Sequence, residues 1–362
     1  VIMKPCEISI VMAVYNGEKY LRDTLDSIVS QSFDSFELIV IDDASTDSTP
    51  EILKDYAECD ARIKVFRNPE NLRLARSLNR GIGLAEGKYI VRMDADDICL
   101  TDRLECQYAY MESHPEIGVS FCKYFTLSGE CIMPCAVGRE CDPDRIKAMF
   151  LFFCPVLHPG VIAKSELIKK YSYDPEHTCS EDLDMWLRML CDGVRIACSG
   201  DYLVLYRIHD MQITSTTTEK QKREVLESER VFYSKMLGAM SDKDAELYIN
   251  SFYFRNSFKR EQMLRFYKFI VRENRRTRQF SNTAIVNAVA EVLAEYRRAG
   301  EISTSDKLYF LRFGGIRLLT EITARKKQGR KDIENARAAA ARAGFEQTGA
   351  HGRLPVYSGN NI

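Results

Sequence analysis

What the chain lacks sets its first limits. None of its 362 residues belongs to an apolar run near the ~18 residues of a membrane span. The most apolar stretch, 148–157, stops at His158-Pro159-Gly160. No basic N-terminal segment leads into an apolar core and a cleavage site, so no signal peptide is expected. Twelve cysteines are present, but no zinc-type CxxC pair. Cys131, Cys135 and Cys141 come nearest to a metal cluster and read better as loop or core thiols. Scattered thiols of this kind fit a reducing cytoplasm. Net charge is nearly absent too, with 51 Lys+Arg against 52 Asp+Glu. A composition of 45% hydrophobic and 28% charged residues excludes a disordered or fibrous chain. The length suits one large domain with an appendage. The near-neutrality is a sum of opposites, because residues 1–218 carry −12 and residues 219–362 carry +11.

What is present begins with alternation. Ile8-Ser9-Ile10-Val11-Met12-Ala13-Val14 is too apolar to have a wet face and reads as a central parallel strand. A helix over 18–30 follows, with Tyr20, Leu21, Leu25, Ile28 and Val29 on one stripe. Residues 36–41 form a second strand ending in Asp42-Asp43. Ser45-Thr46-Asp47-Ser48 supplies capping chemistry for a helix over 49–59. A short strand at 63–67, a helix over 74–84 and a strand at 89–93 lead into Asp94-Ala95-Asp96-Asp97. This order predicts an α/β layered sheet with right-handed crossovers. Beyond it, helices are expected at 103–113, 145–152, 164–170 and 180–192, with strands at 118–126, 194–199 and 202–207. Residues 129–144 read as a loop. From 219 the pattern is helical, with breaks near Gly238, Asn282 and Gly300, and 345–362 is expected to be a flexible tail.

Ligands of such sheets bind outside the carboxyl ends of the strands. Those ends carry Val14-Tyr15-Asn16, Asp42-Asp43 and Asp94-Ala95-Asp96, so fold logic and polar residues point to one edge. Alternating carboxylates past a buried strand can hold one hard cation and leave room for phosphate oxygens. The plainer alternative is an acidic turn capping the next helix, although carboxylates so close repel one another unless a cation pairs them. Ser180-Glu181-Asp182 opens a helix. First-turn acids offset the helix dipole, and a base for an incoming hydroxyl would look the same. Tyr206-Arg207-Ile208-His209-Asp210 ends a strand with groups suited to phosphate or metal. His158 is a weaker candidate for a wall of the acceptor pocket. Gly81-Ile82-Gly83-Leu84-Ala85-Glu86-Gly87 is no dinucleotide fingerprint, because it ends a helix and its spacing is GxGxxxG. No GxxxxGK[ST], HExxH or GxSxG motif occurs.

Together, these stretches resemble a family 2 glycosyltransferase of the bacterial polysaccharide or lipopolysaccharide type. The resemblance rests on Ile8 to Gly17, on Glu37 to Asp47, on Asn79-Arg80-Gly81-Ile82 with Gly87 to Asp97, and on Ser180-Glu181-Asp182 and Tyr206 to His209. It covers about residues 6–215. It implies the inverting GT-A fold, a Rossmann-like, mostly parallel central sheet with flanking helices, here followed by a C-terminal helical extension. It also implies a nucleotide-diphosphate sugar as donor, a UDP-sugar first among them, and a divalent cation, Mn2+ or Mg2+. Ala13, Val14, Tyr15 and Glu18 would line ribose and base, and Asp43 would accept from a base N–H. Asp94 would meet ribose or metal, with Ala95 also at the donor. Asp96 would bind the ion on the diphosphate. Arg207 and His209 would lie near the diphosphate, His209 as a metal residue. Asp182 would be the general base. Arg73 stands where many relatives have Gly, and Thr101 where many have Pro. Arg73 and Arg76 would add positive contacts to the nucleotide or be surface charge.

The implied organisation is a catalytic domain at 1–218, with a nucleotide-binding half to about 100 and an acceptor half at 101–218. A basic helical extension follows at 219–344. Residues 253–280 hold nine Lys/Arg interleaved with aromatics, and 312–331 hold seven more. Such helices suit an anionic membrane surface or, equally, packing on the catalytic domain with a solvated basic face. No nucleic-acid module is recognisable. The expected partners are the donor, a glycan or lipid-linked acceptor, and the inner face of the cytoplasmic membrane. The competing functions are a phosphohydrolase with Asp94 as nucleophile and a non-catalytic, membrane-associated nucleotide-sugar binder.

Overall fold

The computed structural model describes residues 6–129, 131–135, 142–210, 219–238, 240–246 and 260–298. The expected breaks and elements beyond residue 298, the 312–331 basic run and the tail lie outside them.

The first half builds as its alternation predicts. Strands β1 (Ile8–Val14), β2 (Phe36–Asp42), β3 (Ile63–Arg67) and β4 (Tyr89–Arg92) are linked by α1 (Leu21–Val29), α2 (Thr49–Cys59) and α3 (Leu74–Leu84). Then come β5 (Ile98–Cys99), α4 (Arg103–Ser113), β6 (Val119–Ser128), β7 (Cys131–Pro134) and α5 (Pro143–Met149). A 3-10 turn at His158–Gly160 precedes β8 (Val161–Lys164), α6 (Ser165–Tyr171), α7 (Glu181–Cys191) and β9 (Ile196–Arg207). Helices α8 (Glu219–Leu237), α9 (Arg260–Thr277) and α10 (Asn282–Arg298) follow.

The strands form one mixed sheet in the order β3-β2-β1-β4-β8-β6-β9-β5, with β7 beside the end of β6. β3, β2, β1 and β4 are parallel, with Val14 opposite Asp42 and Val11 opposite Arg92. β8 is antiparallel to β4 and to β6, whereas β6 and β9 run parallel. Two expectations change. The strands predicted at 194–199 and 202–207 are one strand that turns through Gly200 at φ 91°. The predicted loop at 129–144 contains β7, which folds back on β6 from Gly129 at φ 57°.

Period-two alternation splits β1 between two cores. Ile8, Ile10, Met12 and Val14 pack with α1, α2 and α4, whereas Val11 faces Leu78, Ile82 and Trp186. The second core continues without a break into Val225, Phe232, Tyr233, Phe266, Ile270 and Val289 of the C-terminal helices. The described C-terminal helices therefore share the core of the sheet. Two glycines of the GxGxxxG stretch, Gly81 and Gly87, serve packing. A Cβ on Gly81 would lie 2.7 Å from Val11 Cγ1, and one on Gly87 2.5 Å from the Ser9 nitrogen. The described cysteines are all free, and no helix among the described residues is long and apolar enough to cross a membrane.

Candidate active site

The parallel half of the sheet delivers its loops to one edge. The loops after β1 and β2 are laced together there. Asn16 N–H donates to Ser45 Oγ (2.9 Å), Gly17 N–H to Thr49 Oγ1 (2.9 Å) and Glu18 N–H to Asp47 Oδ2 (3.1 Å). The Glu18 carboxylate accepts in return from Ser48 N–H at 3.0 Å. Helix α2 is not capped by Ser48; Asp47 Oδ1 instead takes the Thr49 N–H at 3.0 Å. Tyr15 stands half exposed beside this lacing.

Asp43 is buried and organises the next loop. Its Oδ1 accepts from Asn68 Nδ2 (2.6 Å) and Leu72 N–H (2.9 Å), and its Oδ2 from Arg73 N–H (2.9 Å). Arg73 takes φ 68° and ψ 168° to direct that amide. The side chains of Arg73 and Arg76 are exposed, and Arg76 pairs with Glu176 at 3.5 Å.

β4 ends in the acidic cluster. Asp94, Asp96 and Asp97 present carboxylate oxygens all within 4.8 Å of one another. β5 starts directly after them and pairs antiparallel with β9, Ile98 opposite Leu205. That short pairing brings the end of β9 onto the cluster. Arg207 N–H donates to Asp97 Oδ1 (2.8 Å), Arg207 Nε to the Asp96 carbonyl (2.8 Å), and a guanidinium nitrogen to Asp23 (3.0 Å). The guanidinium lies 4.5 Å from the Tyr20 ring centre, and the His209 ring packs on the other partner of that stack, 4.9 Å from Tyr20. His209 Nε2 sits 2.9 Å from Asp96 Oδ2.

The electrostatics match the crowding. Burial pushes Asp97 well above the usual carboxylate range, and the charges of Asp94 and Asp96 push it further. Asp94 is raised by burial first. The Arg92 guanidinium, in direct ion contact with it, opposes that shift, and Asp96 and Asp182 add to it. Asp182, on the first turn of α7, is itself raised by burial and accepts from Leu183 N–H at 2.7 Å. Its neighbour Glu181 is pushed up to about 7 by burial and then by the Asp182 charge. Asp182 and the cluster thus share one electrostatic environment, although α7 lies some eighty residues along the chain. Beneath it, His158 Nε2 meets Tyr173 Oη at 2.6 Å, and burial lowers the His158 value well below the ordinary imidazole range. His158 is an interior group here.

The structure therefore brings Asp94, Ala95, Asp96, Asp182, Arg207 and His209 to one end of the sheet. Ala13, Val14, Tyr15, Glu18 and Asp43 line the loops that share that edge. Sequence reasoning missed Arg92, a charge embedded in the apolar strand Tyr89-Ile90-Val91-Arg92. That incongruity was the available signal. It also missed Tyr20, read only as part of an apolar helix stripe, and Asp23, an ordinary first-turn acid, which gain a shared partner when Arg207 arrives at the end of β9.

A family model described as "Glycosyl transferase family 2" matches residues 9–131. An uncharacterized glycosyltransferase, MJ1057 of Methanocaldococcus jannaschii, is 34% identical over 223 residues, 59% of this chain and 75% of that protein. The chain belongs to glycosyltransferase family 2. Membership sets aside both the phosphohydrolase and the non-catalytic binder. A second relative, "UDP-Glc:alpha-D-GlcNAc-diphosphoundecaprenol beta-1,3-glucosyltransferase WfaP" of Escherichia coli, is 28% identical over 203 residues, 56% of this chain and 77% of its own length. Among solved structures, S. aureus TarS 1–349 in complex with UDP-GlcNAc superposes with a TM-score of 0.57 at 21% identity. The match covers 89% of this chain and 92% of that one, and supports the GT-A-like fold.

Proposed function

We propose that this glycosyltransferase moves a sugar, with inversion, from a UDP-sugar to a hydroxyl of a lipid-linked or polymeric glycan. The observation that carries the reading is the convergence of Asp94, Asp96 and Asp97 at the carboxyl edge of the sheet, with Asp182 at the start of α7 near enough for its charge to reach Asp94. An isolated first-turn acid would have no such neighbour. A carboxylate raised by burial is a stronger base than a free one, as deprotonation of an attacking hydroxyl requires. A base on one side of the reacting carbon and a held diphosphate on the other suffice for a single displacement.

The donor set fits a divalent cation, because three hard oxygen donors converge, and burial first, then the charge of neighbouring carboxylates, raises Asp94 and Asp97. Asp96, with His209 behind it and Asp94 beside it, would hold Mn2+ or Mg2+; when bound, the ion neutralises charge on the leaving diphosphate. Ala13, Val14, Tyr15 and Glu18 form the proposed nucleotide wall, with Ala95 and Arg207 towards the phosphates and Arg73 and Arg76 at its rim. Asp43 Oδ1 already accepts two hydrogen bonds, but Oδ2 accepts only one, which leaves a lone pair for a base N–H. The choice of UDP and of a lipid-linked acceptor is supported by the names of WfaP and of the TarS complex. The exposed basic residues of α9 would keep the enzyme near the membrane that carries such an acceptor.

Calorimetry with UDP and Mn2+, followed by a panel of UDP-, GDP- and dTDP-sugars, tests the donor. Asp182→Asn should abolish transfer while leaving UDP affinity nearly intact, and Asp96→Ala should weaken the Mn2+-dependent part of UDP binding. Near-normal transfer by Asp182→Asn would refute the base assignment.

A further inference from the structure

The geometry points to Glu224, on α8, as a positioning residue for the base, an inference that rests on the assignment of Asp182 above. Helix α7 starts without a cap of its own. Ser180 occupies the N-cap position but makes no capping bond. The three residues before the helix donate instead to one buried carboxylate on another helix. Thr178 N–H and Oγ1 reach Glu224 Oε1 at 3.2 and 3.4 Å. Cys179 N–H and Ser180 Oγ reach Oε2 at 2.9 and 3.3 Å. Glu224 is 6% exposed, and Lys220, one turn earlier, lies 3.6 Å from it. Burying a carboxylate is costly unless it is hydrogen-bonded on several sides, and here both oxygens are engaged.

The grip extends along one face of α8. Gln221 Nε2 donates to the Cys179 carbonyl at 3.3 Å, so the polar groups on both sides of residue 179 are held by this helix. One turn on, Ser228 Oγ reaches Asp184 Oδ1 and His177 Nδ1, each at 3.4 Å. Residues 221, 224 and 228 thus hold 177–184 from a single stripe, at the spacing a helix face provides. Asp182 cannot set its own place by comparison. Among the described residues its side chain accepts from backbone amides of its own helix turn, Leu183 N–H at 2.7 Å foremost, which orients the carboxylate relative to α7 and says nothing about where α7 begins. The distance between Asp182 and the acidic cluster therefore follows the loop that Glu224 clamps. A base displaced by about 1 Å can lose on the order of 100-fold in rate without any loss of donor affinity.

The test uses the full chain with Glu224→Ala and Glu224→Gln, the latter keeping one carbonyl acceptor. Amide hydrogen exchange at Thr178 and Cys179 should accelerate in both variants. UDP release from UDP-glucose or UDP-N-acetylglucosamine, whichever the wild type turns over, should fall in kcat by about 10- to 100-fold for the alanine variant. The glutamine variant should lie between it and the wild type. KM for the donor and the calorimetric affinity for UDP with Mn2+ should stay within about twofold, because the described bonds of Glu224 go to residues 178–180 and Lys220 and not to the proposed donor loops. Wild-type kcat despite faster exchange overturns the inference, as does an equal loss of UDP affinity and kcat. If the alanine variant does not fold, the glutamine variant decides by the same kcat-to-affinity ratio. Asp182→Asn run in parallel separates the two ideas. If it is inactive while both Glu224 variants turn over normally, only the positioning role fails. If it retains wild-type turnover, the base assignment fails and the positioning role falls with it.

Discussion

Arg73 occupies φ 68° and ψ 168°, a region that only glycine enters without strain. The reward is local. This turn presents the amides of Leu72 and Arg73 to the two oxygens of Asp43, which fixes that carboxylate at the edge proposed to bind the nucleotide. Strain of this kind costs about 1–3 kcal/mol, while glycine's extra freedom in the unfolded chain offsets about 0.5–1 kcal/mol. The balance favours glycine, the residue expected of many relatives at this position. Arg73→Gly should raise the melting temperature by roughly 1–3 °C, as read by calorimetric or fluorescence unfolding. An unchanged or lower value would mean that the arginine side chain earns back the strain through contacts of its own.

At the scale of elements, α7 shows how a favourable helix position can be outweighed. Its first turn carries Glu181, Asp182 and Asp184, where the helix dipole favours negative charge by about 0.3–1 kcal/mol each. Burial dominates for Glu181, whose value rises from 4.5 to about 7. A raised acid binds its proton more tightly folded than unfolded. Its contribution to stability is therefore complete below about 4.5 and is lost as pH rises through about 7. The wild type should lose on the order of 1–3 kcal/mol of stability between pH 5 and 8 from this site, and Glu181→Gln should flatten that slope. Denaturant melts of the two proteins across that range, without metal or donor, provide the check. None of this was legible in Ser180-Glu181-Asp182 alone, where first-turn acids look like routine capping. Strand identity was legible where runs were long and apolar, as in β1 and β2. β5 and β8 were not, being two and four residues long and defined by antiparallel partners far along the chain. The same reason separates the site residues. Asp94 and Asp96 announce themselves by spacing and Arg92 by a charge in an apolar strand two residues before Asp94, whereas Asp23 and Glu224 acquire their roles only through residues of other elements far along the chain.

At the scale of the whole molecule, the −12 and +11 halves are joined by a shared core. Phe266 and Ile270 of α9 are fully buried, and Phe266 packs against Phe152 and Tyr233 with ring centres 5.4 and 5.7 Å apart. That packing matches the expectation that this helix packs on the catalytic domain with a solvated basic face, and it leaves the membrane expectation to be tested. Its described apolar side chains are spent on the core, with Tyr267 and Phe269 packed against it beside Phe266 and Ile270. What remains outside is charge, with Arg265, Lys268, Arg272, Arg275, Arg276 and Arg278 all exposed. Arg272 and Arg276 share Glu273, at 2.8 and 3.3 Å, which offsets part of that charge. The attraction to anionic lipid proposed above would then be electrostatic, about 1 kcal/mol per basic residue at the surface and confined within a Debye length of roughly 10 Å at 0.1 M salt. The full chain should float with phosphatidylglycerol-containing vesicles at low salt and be released by high salt. It should ignore phosphatidylcholine vesicles throughout. Reversing Arg265, Lys268 and Arg275 to glutamate should abolish flotation while leaving UDP affinity unchanged, because these side chains lie on α9 and not on the donor loops. Flotation that survives high salt would require an apolar anchor outside α9, and no binding at low salt would remove the membrane from the enzyme's partners.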